Sequence, residues 1–253
     1  MIKLFVFDMD GTALPYGDAS LSPHVLDRLA ALQDSGVQLA VASGRGPEEL
    51  RRLLAPLERP IYVIGHDGAL AFEGDRAVYR RPIAPEAVRS FFRLPQNRER
   101  TLVLYGESCL YLRRGNGDRE AQADLACPAE EITKEYAIRE PIYKVAAYGS
   151  YTGRALPVDG AMRRTRRTDT AEEYVCAYAN KGVALSDLQV RLPVSVFDTA
   201  AAGDGQADLP LFARAALSFA PDGAPEEVKR AAQIVGSFPD FLSALVKTTE
   251  KPL

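Results

Sequence analysis

The chain has 253 residues, 47% of them hydrophobic, which is enough for one large domain or two modest ones and excludes a wholly disordered chain. Lys and Arg number 31 against 34 Asp and Glu, a formal net charge of -3, so no global basic field exists to hold nucleic acid or an anionic membrane surface. Cys109, Cys127 and Cys176 form neither a CxxC pair nor a disulfide framework, which fits a reducing cytoplasm, and two histidines, His24 and His66, leave little room for His-based triads or His-rich metal sites.

Ile2 to Phe7 is a continuous apolar run that predicts a central strand buried on both faces; Asp8 stops it too early for a signal-peptide core, and no later run approaches the ~20 apolar residues of a membrane span. Ser22 and Pro23 open a helix whose stripe is Val25, Leu26, Leu29 and Leu32 and whose stop is Gly36. Val37 to Ala42 then reads as a strand, Pro47 to Leu57 as a helix and Ile61 to Ile64 as a third strand, an alternation that implies a parallel sheet. From about Pro82 the pattern becomes α+β, with a hairpin at Thr101–Gly106 and Ser108–Arg113 and a strand at Ile142–Ser150. Phe91, Phe92, Tyr105, Tyr111, Tyr143 and Tyr148 are expected to form the core of this stretch. Helix and strand resume as a helix at Val183–Leu192, a small-residue strand at Asp198–Ala202, and helices at Leu209–Ala216, Pro225–Ala232 and Pro239–Val246. The expected fold is α/β: a Rossmann-like parallel-sheet core, residues 1–81 and 181–253, with an inserted α+β domain at 82–180.

Four segments fall where open α/β sheets build their sites, at strand C-terminal ends and helix starts. Asp8-Met9-Asp10-Gly11-Thr12 offers two carboxylates, suited to nucleophilic attack by one and proton transfer by the other with a hard divalent cation offsetting their charge. Ser43-Gly44-Arg45 offers a hydroxyl and backbone N–H groups to a phosphate. Asn180-Lys181-Gly182 puts a cation at a helix start that would otherwise favour an anion, and Gly203-Asp204-Gly205-Gln206-Ala207-Asp208 adds two more carboxylates. Each segment has a plain alternative, a solvated turn, a helix cap or a surface lysine; their convergence on one rim points to phosphoryl transfer.

In this order the segments resemble the haloacid dehalogenase superfamily, specifically the Cof-like phosphatases whose cap is inserted between the second and third motifs. The resemblance implies a Mg²⁺-dependent phosphatase of a small phosphorylated metabolite, a sugar phosphate foremost, with the insert as a cap that shapes specificity. It implies that Asp8 is the nucleophile that becomes an aspartyl phosphate, and that Asp10 protonates the leaving group and then activates water. Thr12 and Ser43 would hold phosphate oxygens, Lys181 would bridge nucleophile and phosphoryl group, and Gly44, Arg45 and Asp67 would border the substrate. Asp8, the Asp10 carbonyl, Asp204 and Asp208 would surround the metal. A phosphomutase of the same chemistry and a catalytically weakened ligand-binding relative are the alternatives.

Two positions depart from the family pattern: Ala207 and Asp67 stand where it usually has Asn. The first removes an amide beside the metal site; the second adds a negative charge near the cleft, open either to repelling an anionic substrate or to binding sugar hydroxyls. The run Arg163-Arg164-Thr165-Arg166-Arg167 is followed by Asp169, Glu172 and Glu173, which would offset it, so a solvated face is expected there and no nucleic acid or membrane partner.

Overall fold

The computed structural model describes residues 1–125, 128–150 and 160–249; Cys127 and residues 250–253 of the expected core lie outside them. The chain forms two compact units, Met1–Tyr79 with Asn180–Leu253, and Arg80–Ala179. The first contains β1 (Leu4–Phe7), α1 (Pro23–Asp34), β2 (Gln38–Ala42), α2 (Pro47–Leu54), β3 (Tyr62–Gly65), β4 (Leu70–Glu73) and, at its boundary, β5 (Arg76–Arg80). The second contains α3 (Pro85–Arg93), β6 (Thr101–Tyr105), β7 (Leu110–Arg113), α4 (Asp118–Asp124), β8 (Ala129–Glu131), β9 (Lys144–Tyr148), β10 (Met162–Arg167) and β11 (Ala171–Cys176). The first resumes with α5 (Lys181–Arg191), β12 (Thr199–Ala202), α6 (Leu209–Phe212), β13 (Leu217–Pro221), α7 (Glu226–Ala231), β14 (Ile234–Gly236) and α8 (Phe238–Thr249).

The first unit is an α/β layer structure on an eight-stranded sheet of order β14-β13-β12-β1-β2-β3-β4-β5. Strands β14 to β3 run parallel, and β4 turns back antiparallel on β3. β1 is buried along its whole length because its alternate side chains serve two cores. Phe5 and Phe7 pack with Leu29 of α1 and Phe241 of α8; Leu4 and Val6 pack with Leu185 of α5 and Leu211 of α6. β12 is Thr-Ala-Ala-Ala, so the sheet beside β1 leaves room for Phe219 of β13 to stack on Phe241 at 4.5 Å. Ser22 caps α1 by accepting from Val25 N at 3.3 Å, with Pro23 in the first turn, as the sequence predicts.

The second unit is a six-stranded sheet of order β10-β11-β9-β6-β7-β8, antiparallel except between β7 and β8. The six aromatic residues expected in its core are buried there. The basic run forms β10, which the sequence leaves unassigned: its charges hide the strand period, and its stability comes from β11. Arg166 lies opposite Glu173 and Arg167 opposite Glu172 across the ladder, and Arg166 Nη1 is 3.1 Å from Glu173 Oε1. The expected helix at Leu209–Ala216 stops at Phe212, because the Ala216 N–H is taken by Val196 O and Thr199 O and the chain turns into β13. Strands β4, β5, β8, β11, β13 and β14 likewise appear where no strand was expected; β14 is a three-residue edge with Ile234 and Val235 partly exposed. No helix among the described residues is long and apolar enough to cross a membrane.

Glu173 also pairs with Lys144 at 2.5 Å, both side chains being 8% exposed. Burial opposes its charge, yet Lys144 and Arg166 outweigh burial and hold the carboxyl below its usual 4.5. A depressed folded-state pKa contributes stability that is complete above the unfolded value and is lost as the pH falls through the folded one. Glu173→Gln is therefore expected to lower the melting temperature at neutral pH and to shrink that deficit below about pH 4, measured by thermal melts across the acid range.

Candidate active site

Asp8 follows the last residue of β1, and its N–H donates to Ala202 O at 2.9 Å, so sheet pairing continues up to a carboxylate that is only 5% exposed. The partner comes from the far side of the insertion. Asn180 Oδ1 accepts from Val183 N at 2.9 Å and caps α5, which places Lys181 in its first turn, buried. Lys181 Nζ donates to Asp8 Oδ1 at 2.7 Å and to Asp208 Oδ1 at 2.6 Å. The other Asp208 oxygen accepts from Asp204 N at 3.1 Å and Gly205 N at 3.0 Å, so backbone donors orient that carboxylate from behind.

The loop geometry depends on two glycines. Gly68, at φ +88°, lies so close to the start of α5 that a Cβ there would sit 2.2 Å from the Asn180 carbonyl carbon. Gly11, at φ +79°, crosses the Asp204 side chain, where a Cβ would be 2.3 Å from Oδ2. Asp204 is held on both oxygens, by Thr12 Oγ1 at 3.3 Å and by Tyr16 Oη at 2.9 Å. The Tyr16 phenol is accordingly pushed up by burial and by the adjacent Asp204 carboxylate.

Burial pushes Asp8 well above the ordinary carboxylate range; Lys181 opposes this, and Asp208 and Asp204 add to it. For Lys181, burial alone would lower the pKa, but Asp8, Asp208 and then Asp67 outweigh it and keep the ammonium charged. One buried cation thus faces several carboxylates, an excess of negative charge suited to a second cation. The donor set fits one: Asp8, Asp204 and Asp208 each offer a carboxylate oxygen, all within 4.8 Å of one another, and hard oxygen ligands suit Mg²⁺. The Asp10 side chain stands outside that group. Its two oxygens are forked by Arg45, Nε to Oδ2 at 2.8 Å and Nη2 to Oδ1 at 2.6 Å.

Asp8, Thr12, Lys181, Asp204 and Asp208 therefore form one cluster, and Asp10 with Arg45 an adjoining pair. Ser43 and Gly44 sit next to Asp67: Asp67 N donates to Ser43 O at 3.0 Å, and a Cβ on Gly44 would be 3.3 Å from either Asp67 carboxylate oxygen. Ser43 Oγ accepts from Arg45 N at 3.2 Å, which fixes the turn into α2. Asp67 has φ +53°, a left-handed conformation that Asn and Asp both tolerate, so the exchange preserves the backbone while adding charge beside Lys181. Ala207 is exposed, whereas Asp208 beside it is buried. Two residues absent from the sequence-based site touch it, Tyr16 on Asp204 and Glu49 on Arg45. The i,i+4 spacing from Arg45 signals Glu49; Tyr16, in a Pro-Tyr-Gly turn, carries no comparable signal.

Residues 5–244 match the family model described as haloacid dehalogenase-like hydrolase. The chain is 28% identical over 236 residues to the phosphoglycolate phosphatase of Methanopyrus kandleri, covering 93% of this chain and 90% of that protein. Among solved structures, the phosphatase BT1666 of Bacteroides thetaiotaomicron is similar with a TM-score of 0.81 at 22% identity, covering 98% of this chain and 95% of that one. The sugar phosphatase BT4131, of haloacid dehalogenase subclass IIB, is similar with a TM-score of 0.79 at 20% identity, covering 98% of each chain.

Removing the cation from a buried pair strands its partners. Lys181→Met is expected to destabilise the first unit by about 3–5 kcal/mol, read as a lower midpoint in urea unfolding followed by a probe in that unit.

Proposed function

Because the chain belongs to the haloacid dehalogenase-like hydrolases, we propose that it is a phosphoric monoester hydrolase that is Mg²⁺-dependent and works through an aspartyl phosphate. The observation that carries this reading is Lys181 bridging Asp8 and Asp208 with Asp204 in reach, at the end of β1. Asp8 attacks the phosphoryl group. Lys181 draws charge from the phosphoryl oxygens while holding Asp8 in line, and the Thr12 and Ser43 hydroxyls with the Gly44 backbone receive the remaining oxygens. Asp10 gives its proton to the departing alkoxide, then takes one from the water that cleaves the aspartyl phosphate. Asp8, Asp204, Asp208 and the Asp10 carbonyl would hold Mg²⁺, which would supply charge neutralisation at the phosphoryl group.

The substrate we infer is a small phosphorylated metabolite, a sugar phosphate foremost, in keeping with relatives named for phosphoglycolate and for sugar phosphates. Residues 1–81 and 181–253 are assigned to the chemistry and 82–180 to substrate selection, with Arg45 and Asp67 bordering the substrate. Free thiols at Cys109 and Cys176 support a cytoplasmic setting.

Phosphate release from a panel of sugar, nucleotide and cofactor phosphates is expected to require Mg²⁺ and to fall by at least about 10³-fold in Asp8→Asn, on the order lost with a covalent nucleophile. Equal turnover by folded, Mg²⁺-binding Asp8→Asn would overturn the aspartyl-phosphate reading.

A further inference from the structure

Glu49 is outside the set of residues expected to touch substrate or metal, yet it sits on the same guanidinium as Asp10. Arg45 Nη1 contacts Glu49 Oε1 while Nε and Nη2 fork the two oxygens of Asp10 at 2.8 and 2.6 Å. The three side chains are similarly half-buried, 29% exposed for Arg45 and Glu49 and 33% for Asp10. The backbone on either side of Arg45 is fixed as well, since its N–H donates to Ser43 Oγ and its carbonyl accepts from His66 N at 3.0 Å. Glu49 belongs to the first turn of α2, so it is carried by a regular element rather than by the loop. The guanidinium is therefore clamped at its root by the turn and at its tip by a helix, and its free edge is aimed at Asp10.

A bidentate fork fixes the plane of a carboxylate and uses one lone pair on each oxygen; the second lone pair on each remains for a proton. We propose that Glu49 is a positioning residue: through Arg45 it sets the plane in which Asp10 exchanges a proton with the leaving group. This rests on the acid/base reading of Asp10 given above. The proton moves from the Asp10 carboxyl to the alkoxide oxygen as the P–O bond breaks and the Asp8–phosphorus bond forms, leaving the alcohol and the Asp10 carboxylate, which the Arg45 fork receives.

The alternative is structural, because a carboxylate in a first helical turn stabilises the helix whatever else it touches. Leaving-group dependence separates the two. An alkyl phosphate expels a basic alkoxide that needs the proton, whereas p-nitrophenyl phosphate expels a phenolate that does not, and kcat/KM reads this first half-reaction for both. Glu49→Gln, with Glu49→Ala as a second variant and Arg45→Lys to keep charge but lose the fork, is assayed on a sugar phosphate and on p-nitrophenyl phosphate, with melting temperatures alongside. The expected result for Glu49→Gln is a loss of about 3- to 10-fold in kcat/KM on the sugar phosphate, carried by kcat, with less than about twofold on the aryl ester, at the low end of what positioned acid–base catalysis contributes. Arg45→Lys is expected to show the same selectivity, superimposed on any common loss in KM from its place beside the substrate. Equal losses on the two esters, or a shift in melting temperature alone, would overturn the proposal. Asp10→Asn is the reference: if it is selective and Glu49→Gln is not, only the positioning role fails, and if Asp10→Asn is itself unselective, the acid/base reading fails and the positioning role with it.

Discussion

A buried ammonium held between two carboxylates organises the first unit. Lys181 reaches it from the helix that follows the insertion, Asp8 from the residue after the first strand and Asp208 from the loop after β12. None of the three can be buried alone at tolerable cost, since an isolated charge in a low-dielectric interior loses far more hydration than packing returns. The same constraint accounts for the neighbouring glycines: the Gly68 turn has to lie against the backbone of Asn180 for Lys181 to arrive at the right height, and no side chain fits between them.

The two positions that the resemblance sets apart, Asp67 and Ala207, differ in their physical weight. Asp67 keeps the left-handed backbone that the usual Asn would adopt and adds a third carboxylate to the field of Lys181, which strengthens the hold on that cation. Ala207 lies on the exposed side of a short turn whose buried side is Asp208, so the carboxylate is oriented by the backbone N–H groups of Asp204 and Gly205 without help from an amide at 207.

Much of the first unit was legible because its signals are local. The apolar run Ile2 to Phe7, stopped by Asp8, reads as a strand buried on both faces, and Ser22-Pro23 marks a helix start. The site was legible where strand ends carry acids. What was not legible depends on pairing between elements rather than on the pattern within one. β10 is a run of arginines that becomes a strand only because Glu172 and Glu173 stand across from it. β14 is only three residues long, and the end of α6, hence the start of β13, is fixed by a tertiary hydrogen bond from Ala216 rather than by a Gly or Pro stop. The contact of Tyr16 with Asp204 joins positions 188 apart, and no local pattern encodes it.

The position of β1 also has a consequence for how the polypeptide acquires its shape. β1 lies between β2, made soon afterwards, and β12, whose Thr199–Ala202 pairs with it only after the whole of the second unit has been synthesised. The described strands of the second unit, contiguous from Arg80 to Ala179, all pair among themselves, so that unit can complete first. During that interval β1 presents an apolar, unpaired edge, the kind of surface on which nascent chains associate wrongly. Long-range pairing of parallel strands forms slowly, and that edge of β1 has no partner to close on until Ala202 has been made.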